Sequence, residues 1–534
     1  MRAAMEPSRY RLEYAAYCSA RARALYESYV GATDEPRLEQ LRDRYADLWT
    51  RDTILELERA REATPATFET ERAALHALAS AARLGYADSQ AREVADELSR
   101  CEAASRVERG GGRLSQRAAR SHAAAETDDA ARRELAARWL EGVRACDDLR
   151  AARLGRLGAA ARELGFDSYA ALKSSATNTD GEKLSAAADT LRARTAAVYE
   201  SRISRWAARE TRGVGAHAHD LADELAFARV ARLDRFFPAP SARAAFGATM
   251  SGLGVKVGRQ TNLRVEGLAK GVGAFAADDA ESADANVNAS TVFGDARTFG
   301  VEPPADVRLA FCARAGAGFC RKFFFEAGRA EHFAWASREE AARRPEFVHA
   351  PDRATNAGFA SLLRALFAER VWLADVLGAR PSDAEEIARA CALTELYEVR
   401  RACARSRDES ELLAADDPRS ESLLARCAAR RREATGFSLP TALVLFESSE
   451  DVSFETGGAS ASELLRGRLF AASLGEHLRT RHGSRWWARG AAGDELIDLW
   501  NTASRYSVEE LAPLAGAGGL DAELLAETLI RQVS

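Results

Sequence analysis

The chain has 534 residues, 47% of them hydrophobic and 29% charged, with a net charge of −5. This is a globular composition, which excludes a disordered or collagen-like chain, and it lacks the basic footprint of a nucleic-acid binder. No apolar run approaches the roughly 18 residues of a membrane-spanning helix, and the start MRAAMEPSRYRLEY has no signal-peptide core, so no membrane partner and a cytoplasmic location are expected.

Residues 1–150 are helical in pattern, with apolar residues such as Tyr45, Leu48, Leu55 and Leu57 between Arg/Glu faces. Gly110-Gly111-Gly112 lacks the ending of a phosphate loop and reads as a turn between helices. Residues 151–235 give two more helices, separated by the polar stretch 174–183. The character changes near Phe236-Phe237-Pro238. From there to about residue 318, Gly and β-branched residues increase, and Val255–Val257 and Val307–Phe311 read as short strands. Helical pattern returns at 319. Gly378 followed by Pro381 marks a helix stop, and Ser507 with Glu510 forms a capping box. The fold class is mainly α with a small β insertion.

The cations are skewed, with only five Lys among 75 Lys and Arg, and only eight His occur. The eight cysteines (Cys18, Cys101, Cys146, Cys312, Cys320, Cys391, Cys403 and Cys427) are widely spaced without a CxxC, which predicts reduced, mostly buried thiols. Several motifs are weak. His217 and His219 sit in a loop-like context. Asp284, Asn286 and Asn288 start like a calcium loop, but Ala289 and Asp295 replace its Gly and Glu. Gly516, Gly518 and Gly519 do not follow a strand. His482 before Gly483 reads as a helix cap. Cys312 and Cys320 have no local His partner.

Residues 323–334 read FFFEAGRAEHFA. In HExxH zinc peptidases two His one helical turn apart hold the metal, and the intervening Glu takes a proton from its water. Here Glu326 is present, but Phe325 and Arg329 stand where the two His would be.

The surrounding stretch, EAGRAEHFAW (326–335), RPEFVHAPDRATNAGFASLLRAL (344–366) and VWLADVLG (371–378), resembles the thimet oligopeptidase / oligoendopeptidase F family of zinc peptidases. LGFDSYAAL (164–172), KGVGAF (270–275), EPPADVRLAF (302–311) and the segment 463–500 are similar as well. The resemblance covers most of residues 150–534. It implies a large helical ellipsoid with a deep central groove, a zinc ion at its floor, and short peptides as substrates. A helical N-terminal lobe at 1–240 and a catalytic-domain homologue at 241–534 follow from it.

The resemblance also locates the departures. The third zinc ligand, a Glu in the family, falls at Ala357, or at Asn356 if the register shifts by one; Asp352 and Phe359 anchor that alignment. Phe and Ala offer no donor, and Arg carries a permanent charge with no acceptor, so no zinc cofactor is expected. The family's Asp-Tyr before the zinc helix reads Phe319-Cys320, and a Tyr expected further on reads Glu463. Without a metal, Glu326 is a remnant base facing ordinary water. Arg329, three residues on, is placed to pair with Glu326 or Glu331. His332 matches a family residue beside the zinc helix and reads as packing. These losses point to an inactive pseudopeptidase, of bacterial type, that binds short peptides or a protein partner in its groove. Two alternatives stay open: an active zinc peptidase with displaced ligands, and a structural or assembly protein whose groove is filled by Phe319, Phe323, Phe324 and Phe325.

Overall fold

A computed structural model describes residues 6–32, 38–109, 112–210, 220–229, 231–268, 296–313, 315–452 and 458–534. The chain is mainly α, as the periodicity predicts. Five helices frame the groove described below: α1 (Pro7–Tyr29), α2 (Ala317–Ala334), α3 (Ala354–Ala365), α4 (Pro381–Ala414) and α5 (Ala461–His482). The described strands are β1 (Arg106–Arg109), β2 (Gly112–Ser115), β3 (Leu263–Leu268), β4 (Ala296–Glu302) and β5 (Asp306–Cys312).

Helix α2 shows how the pattern becomes packing. Phe319, Cys320, Phe323, Phe324, Ala327, Ala330 and Ala334 recur at helical spacing, and all are buried. They join β5 and Phe246, Trp372, Trp486 and Trp500 in one core. Lys322, Phe325, Glu326 and Arg329 occupy the other face. A second core unites Tyr10, Tyr14 and Tyr17 of α1 with Leu157, Val444 and Leu445. A third joins Trp139 and Leu191 to Tyr397 of α4 and Leu469 of α5. The first half of the chain therefore packs directly on the second.

Glycine lets the central helices approach. A Cβ on Gly328 of α2 would lie 2.8 Å from Ala360 Cα of α3. A Cβ on Gly467 of α5 would lie 2.9 Å from Gly358 N of α3. Each side chain would meet backbone, so only glycine permits these crossings. Local signals end and start helices as expected. Gly378, with φ +66°, closes one helix and Pro381 opens α4. Both Ser507–Glu510 and Ser460–Glu463 form capping boxes.

The larger sheet has the order β3-β5-β4, with β3 parallel and β4 antiparallel to the central β5. The strand expected at Val307–Phe311 is thus β5. Val255–Val257 is not a strand: Val255 is buried in a loop and Val257 opens a short 3-10 turn, so the side chain packs without a ladder partner.

Four other expectations are corrected. The segments flanking the glycine run are strands rather than helices, β1 paired antiparallel with β2, because buried Val107 and Leu114 alternate with exposed neighbours and pair across the strands. Residues 147–229 hold four helices rather than two. Cys101 and Cys146 form a disulfide, their Cα atoms brought to 6.0 Å, while the other six cysteines are thiols. Gly483 caps α5 through its backbone, and the ring of His482 turns to Glu495 at 2.8 Å. The HxH pair at 217 and 219, the calcium-like segment at 284–295 and the KGVGAF segment lie outside the described residues. No helix among the described residues is long and apolar enough to cross a membrane.

Candidate functional site

The close crossing of α2 and α3 brings Phe325, Glu326, Arg329, His332, Asn356 and Ala357 into one neighbourhood. Two cavities meet there, of about 490 Å³ and about 480 Å³. Both are bordered by Lys322, Glu326, Arg329, Arg353 and Asn356. The first runs along α1 and β4 past Asp352, and the second runs along α4 and α5 past Phe325 and Ala357.

Glu326 is 2% exposed. Its Oε1 accepts from Lys322 Nζ at 2.6 Å. Its Oε2 accepts from an Arg329 guanidinium N–H at 3.1 Å and from the Thr298 backbone N–H at 3.0 Å. The Thr298 hydroxyl donates in turn to the Glu326 carbonyl at 2.5 Å, which ties β4 to α2. Burial pushes the carboxyl pKa up, but Lys322, Arg329 and the Thr298 amide outweigh it and hold it at about 2. A carboxylate so stabilised is a weak base, with three donors on its two oxygens.

Arg329 binds Glu326 rather than Glu331. Its Nε also donates to Asn356 Oδ1 at 2.7 Å. The Asn356 amide donates back to the Arg329 carbonyl at 3.2 Å and contacts His332 Nδ1 at 3.0 Å. His332 Nε2 lies 3.0 Å from the Ala503 carbonyl. This pattern assigns the proton to Nε2 and makes Nδ1 the acceptor. Burial, with Arg329 nearby, lowers its pKa to about 4, so the ring is neutral and structural. Glu331 faces elsewhere, accepting from Gln260 at 2.8 Å and Trp335 at 3.0 Å. Asp352 lines the first cavity but is held by Arg466 of α5 at 3.0 Å. Glu463, where the resemblance leads one to expect a Tyr, caps α5 and accepts from the Arg353 backbone N–H at 2.8 Å.

These groups do not fit zinc. The three ligand positions offer a phenyl ring, a guanidinium bound to a carboxylate, and a methyl or a carboxamide engaged with Arg329 and His332. Phe319, Phe323 and Phe324 do not occupy the groove, since they pack in the core behind α2 against Phe246, Phe311 and Trp372. Phe325 alone of the four lines the cavity, with Lys322 Nζ 5.4 Å and Arg364 Cζ 5.3 Å from its ring centre.

The sequence reading missed several of these partners. Lys322 was visible in principle, one turn before Glu326. Thr298, Arg353 and Arg364 carried no local signal.

Solved structures decide the fold. A Pyrococcus furiosus carboxypeptidase superposes with a TM-score of 0.62 at 15% identity, covering 98% of this chain and 97% of that one. The chain has the oligopeptidase fold. A structure assigned as oligoendopeptidase F gives a TM-score of 0.66 at 12% identity over 98% and 91% of the two chains. Trypanosoma cruzi metallocarboxypeptidase 1 gives 0.61 at 12% over 98% and 99%. No family model and no curated protein sequence matches the chain significantly. The oligopeptidase fold thus persists here at identities where only architecture is shared.

Proposed function

We propose that this protein is a catalytically inactive pseudopeptidase that binds peptides in the groove of an oligopeptidase fold. In this reading residues 1–240 form the lobe over the groove and residues 241–534 the catalytic-domain homologue. The observation that carries it is the engagement of Glu326 by Lys322, Arg329 and Thr298, which holds its carboxyl pKa at about 2, where a general base needs a higher pKa and a metal-bound water. The cavities on either side support retained binding, because residues from α1, β4, α4 and α5 still line a cleft through the site.

The test is direct. Protein purified without chelator is assayed for bound metals by mass spectrometry and for cleavage of a mixed peptide library. No cleavage, together with library peptides retained on the immobilised protein, is expected. Stoichiometric zinc with cleavage that chelators abolish overturns the reading.

A further inference from the structure

The chain crosses twice between its second and third hydrophobic cores, and both crossings are thinly packed. It leaves the second core at Ala91 and enters the third at Val107. It returns from Val143 of the third core to Leu154 of the second. Among the described residues, nothing in 92–106 or 144–153 joins any hydrophobic core. The helix Arg92–Ala104, which forms most of the outward crossing, buries one side chain, Leu98. Its ion pairs, Arg92 with Asp43, Asp96 with Arg42 and Glu102 with Arg150, each have a partly exposed carboxylate and so hold it weakly. An element with so little apolar burial opens locally at small cost.

The Cys101–Cys146 disulfide ties one crossing to the other. Within the loop of 45 residues that it closes lie β1, β2 and the helices Gln116–Ala125 and Asp129–Arg144. This unit reaches the groove. Arg120 borders the cavity of about 480 Å³, and its guanidinium lies 5.2 Å from the ring centre of Trp139 in the same unit. Trp139 meets Phe446 edge-on at 6.1 Å, and Phe446 in turn carries the buried Arg150 guanidinium at 5.0 Å. Arg150 sits beside the bridge and donates to Glu102 at 2.7 Å on the outward crossing and to Asp147 at 3.0 Å on the return. If Glu102 moves away, Arg150 keeps Asp147 and Phe446, so opening leaves no bare buried charge.

We infer that the Cys101–Cys146 bridge is a redox clasp. Oxidised, it locks the unit onto the second core and fixes the groove wall that Arg120 supplies. Reduced, it frees the two crossings and loosens that wall. The reductant is a dithiol. One of its thiolates attacks the sulfur of Cys101, which is half-buried, whereas Cys146 is fully buried. The S–S bond breaks, and its electron pair leaves on Cys146, which takes up a proton. The second thiolate of the reductant then attacks its own bound sulfur, expels Cys101 to be protonated, and closes the reductant as a disulfide. The effect on the groove rests on the peptide-binding reading above: a loosened wall must be ordered when a peptide binds, which weakens binding.

The experiment compares the full-length oxidised protein, the same protein in dithiothreitol, and the double variant Cys101→Ser and Cys146→Ser. Hydrogen exchange reads the crossings, and retention of a mixed peptide library on the immobilised protein reads the groove. Reduction is expected to speed exchange at least about tenfold in 92–106 and 144–153, leaving the helix Glu69–Gln90 and α3 unchanged. Library retention should fall about fivefold. The double variant should match the reduced protein and ignore dithiothreitol; should it not fold, reduction and re-oxidation of the unaltered protein decide. Unchanged exchange in the crossings after two thiols are released overturns the clasp. Acceleration spread evenly over the chain, or a bridge that dithiothreitol leaves intact in the folded protein, overturns it as well. Faster exchange in the crossings with unaltered retention keeps the clasp and overturns its hold on the groove. No retention in any state counts against the peptide-binding reading alone, and exchange then decides the clasp.

Discussion

Arg329 and Glu326 lie one helical turn apart on α2, joined by a 3.1 Å ion pair where the metal and its general base would stand in an HExxH peptidase. In the proposed reading, a permanent monovalent cation takes the electrostatic place of a divalent one. The pair is only the centre of a larger arrangement, since Lys322, Thr298 and Asn356 each hold one of its members.

Restoring the donors should restore the metal. The triple variant Phe325→His, Arg329→His and Ala357→Glu is expected to bind close to one zinc per chain by inductively coupled plasma mass spectrometry. The parent chain should bind none at this place. Placing the Glu at Asn356 instead tests the register of α3. If neither triple variant takes up zinc, α2 and α3 do not face each other as they do in the family.

The Arg329–Glu326 pair should show coupling. Arg329→Ala leaves a buried carboxylate with less compensation and is expected to cost about 1–3 kcal/mol, moderated by the partial exposure of Arg329. Glu326→Gln removes the charge that needs compensating. In urea unfolding, the double variant should be more stable than the sum of the single effects predicts, by about 0.5–3 kcal/mol. Strict additivity would show that the ion pair carries no net interaction.

The glycine crossings should be intolerant. Gly328→Ala places a Cβ 2.8 Å from backbone of α3, and Gly467→Ala places one 2.9 Å from it. Each is expected to lose about 2 kcal/mol or more by overpacking, even though alanine favours helix. Gly155, with open space around its Cβ position, is the control, and Gly155→Ala should be neutral or slightly stabilising.

Stability should fall with rising pH near neutrality. Burial pushes the Glu331 carboxyl up to about 7, against an ordinary value of 4.5, despite hydrogen bonds from Gln260 and Trp335. The folded chain therefore holds this proton more tightly than the unfolded chain. The contribution is fully present below pH 4.5 and is lost as pH rises through 7, up to about 3 kcal/mol. Glu346, also raised to about 7 by burial, acts in the same direction. Urea midpoints of Glu331→Gln between pH 5 and 8 should vary less than those of the unaltered chain. An unchanged slope would remove Glu331 as its source.

The Cys101–Cys146 bridge gives a simple count. Thiol titration of the denatured, unreduced protein should find six reactive groups rather than eight. Replacing both cysteines by serine reopens a loop of 45 residues, which is expected to cost about 4 kcal/mol on chain-entropy grounds.

Sequence alone determined what depends on near neighbours. Helical periodicity showed the mainly α architecture. Gly378 with Pro381 and Ser507 with Glu510 marked helix ends, because caps act over three or four residues. The losses at Phe325, Arg329 and Ala357 were legible as residue chemistry, and the Arg329–Glu326 contact was legible as an i,i+3 pair. The tertiary structure decided everything that joins distant segments. Thr298 reaches Glu326 from an edge strand, Asn356 reaches Arg329 across a glycine crossing, and Cys101 meets Cys146 through helix packing. Val107 and Leu114 pair only because both can bury against α-helical neighbours. The cluster at Glu395 and Glu398 depends on Arg364 and Arg468 converging on α4 from two other helices. Such relationships leave no local trace, because electrostatic and packing partners are chosen by distance in space rather than by distance along the chain.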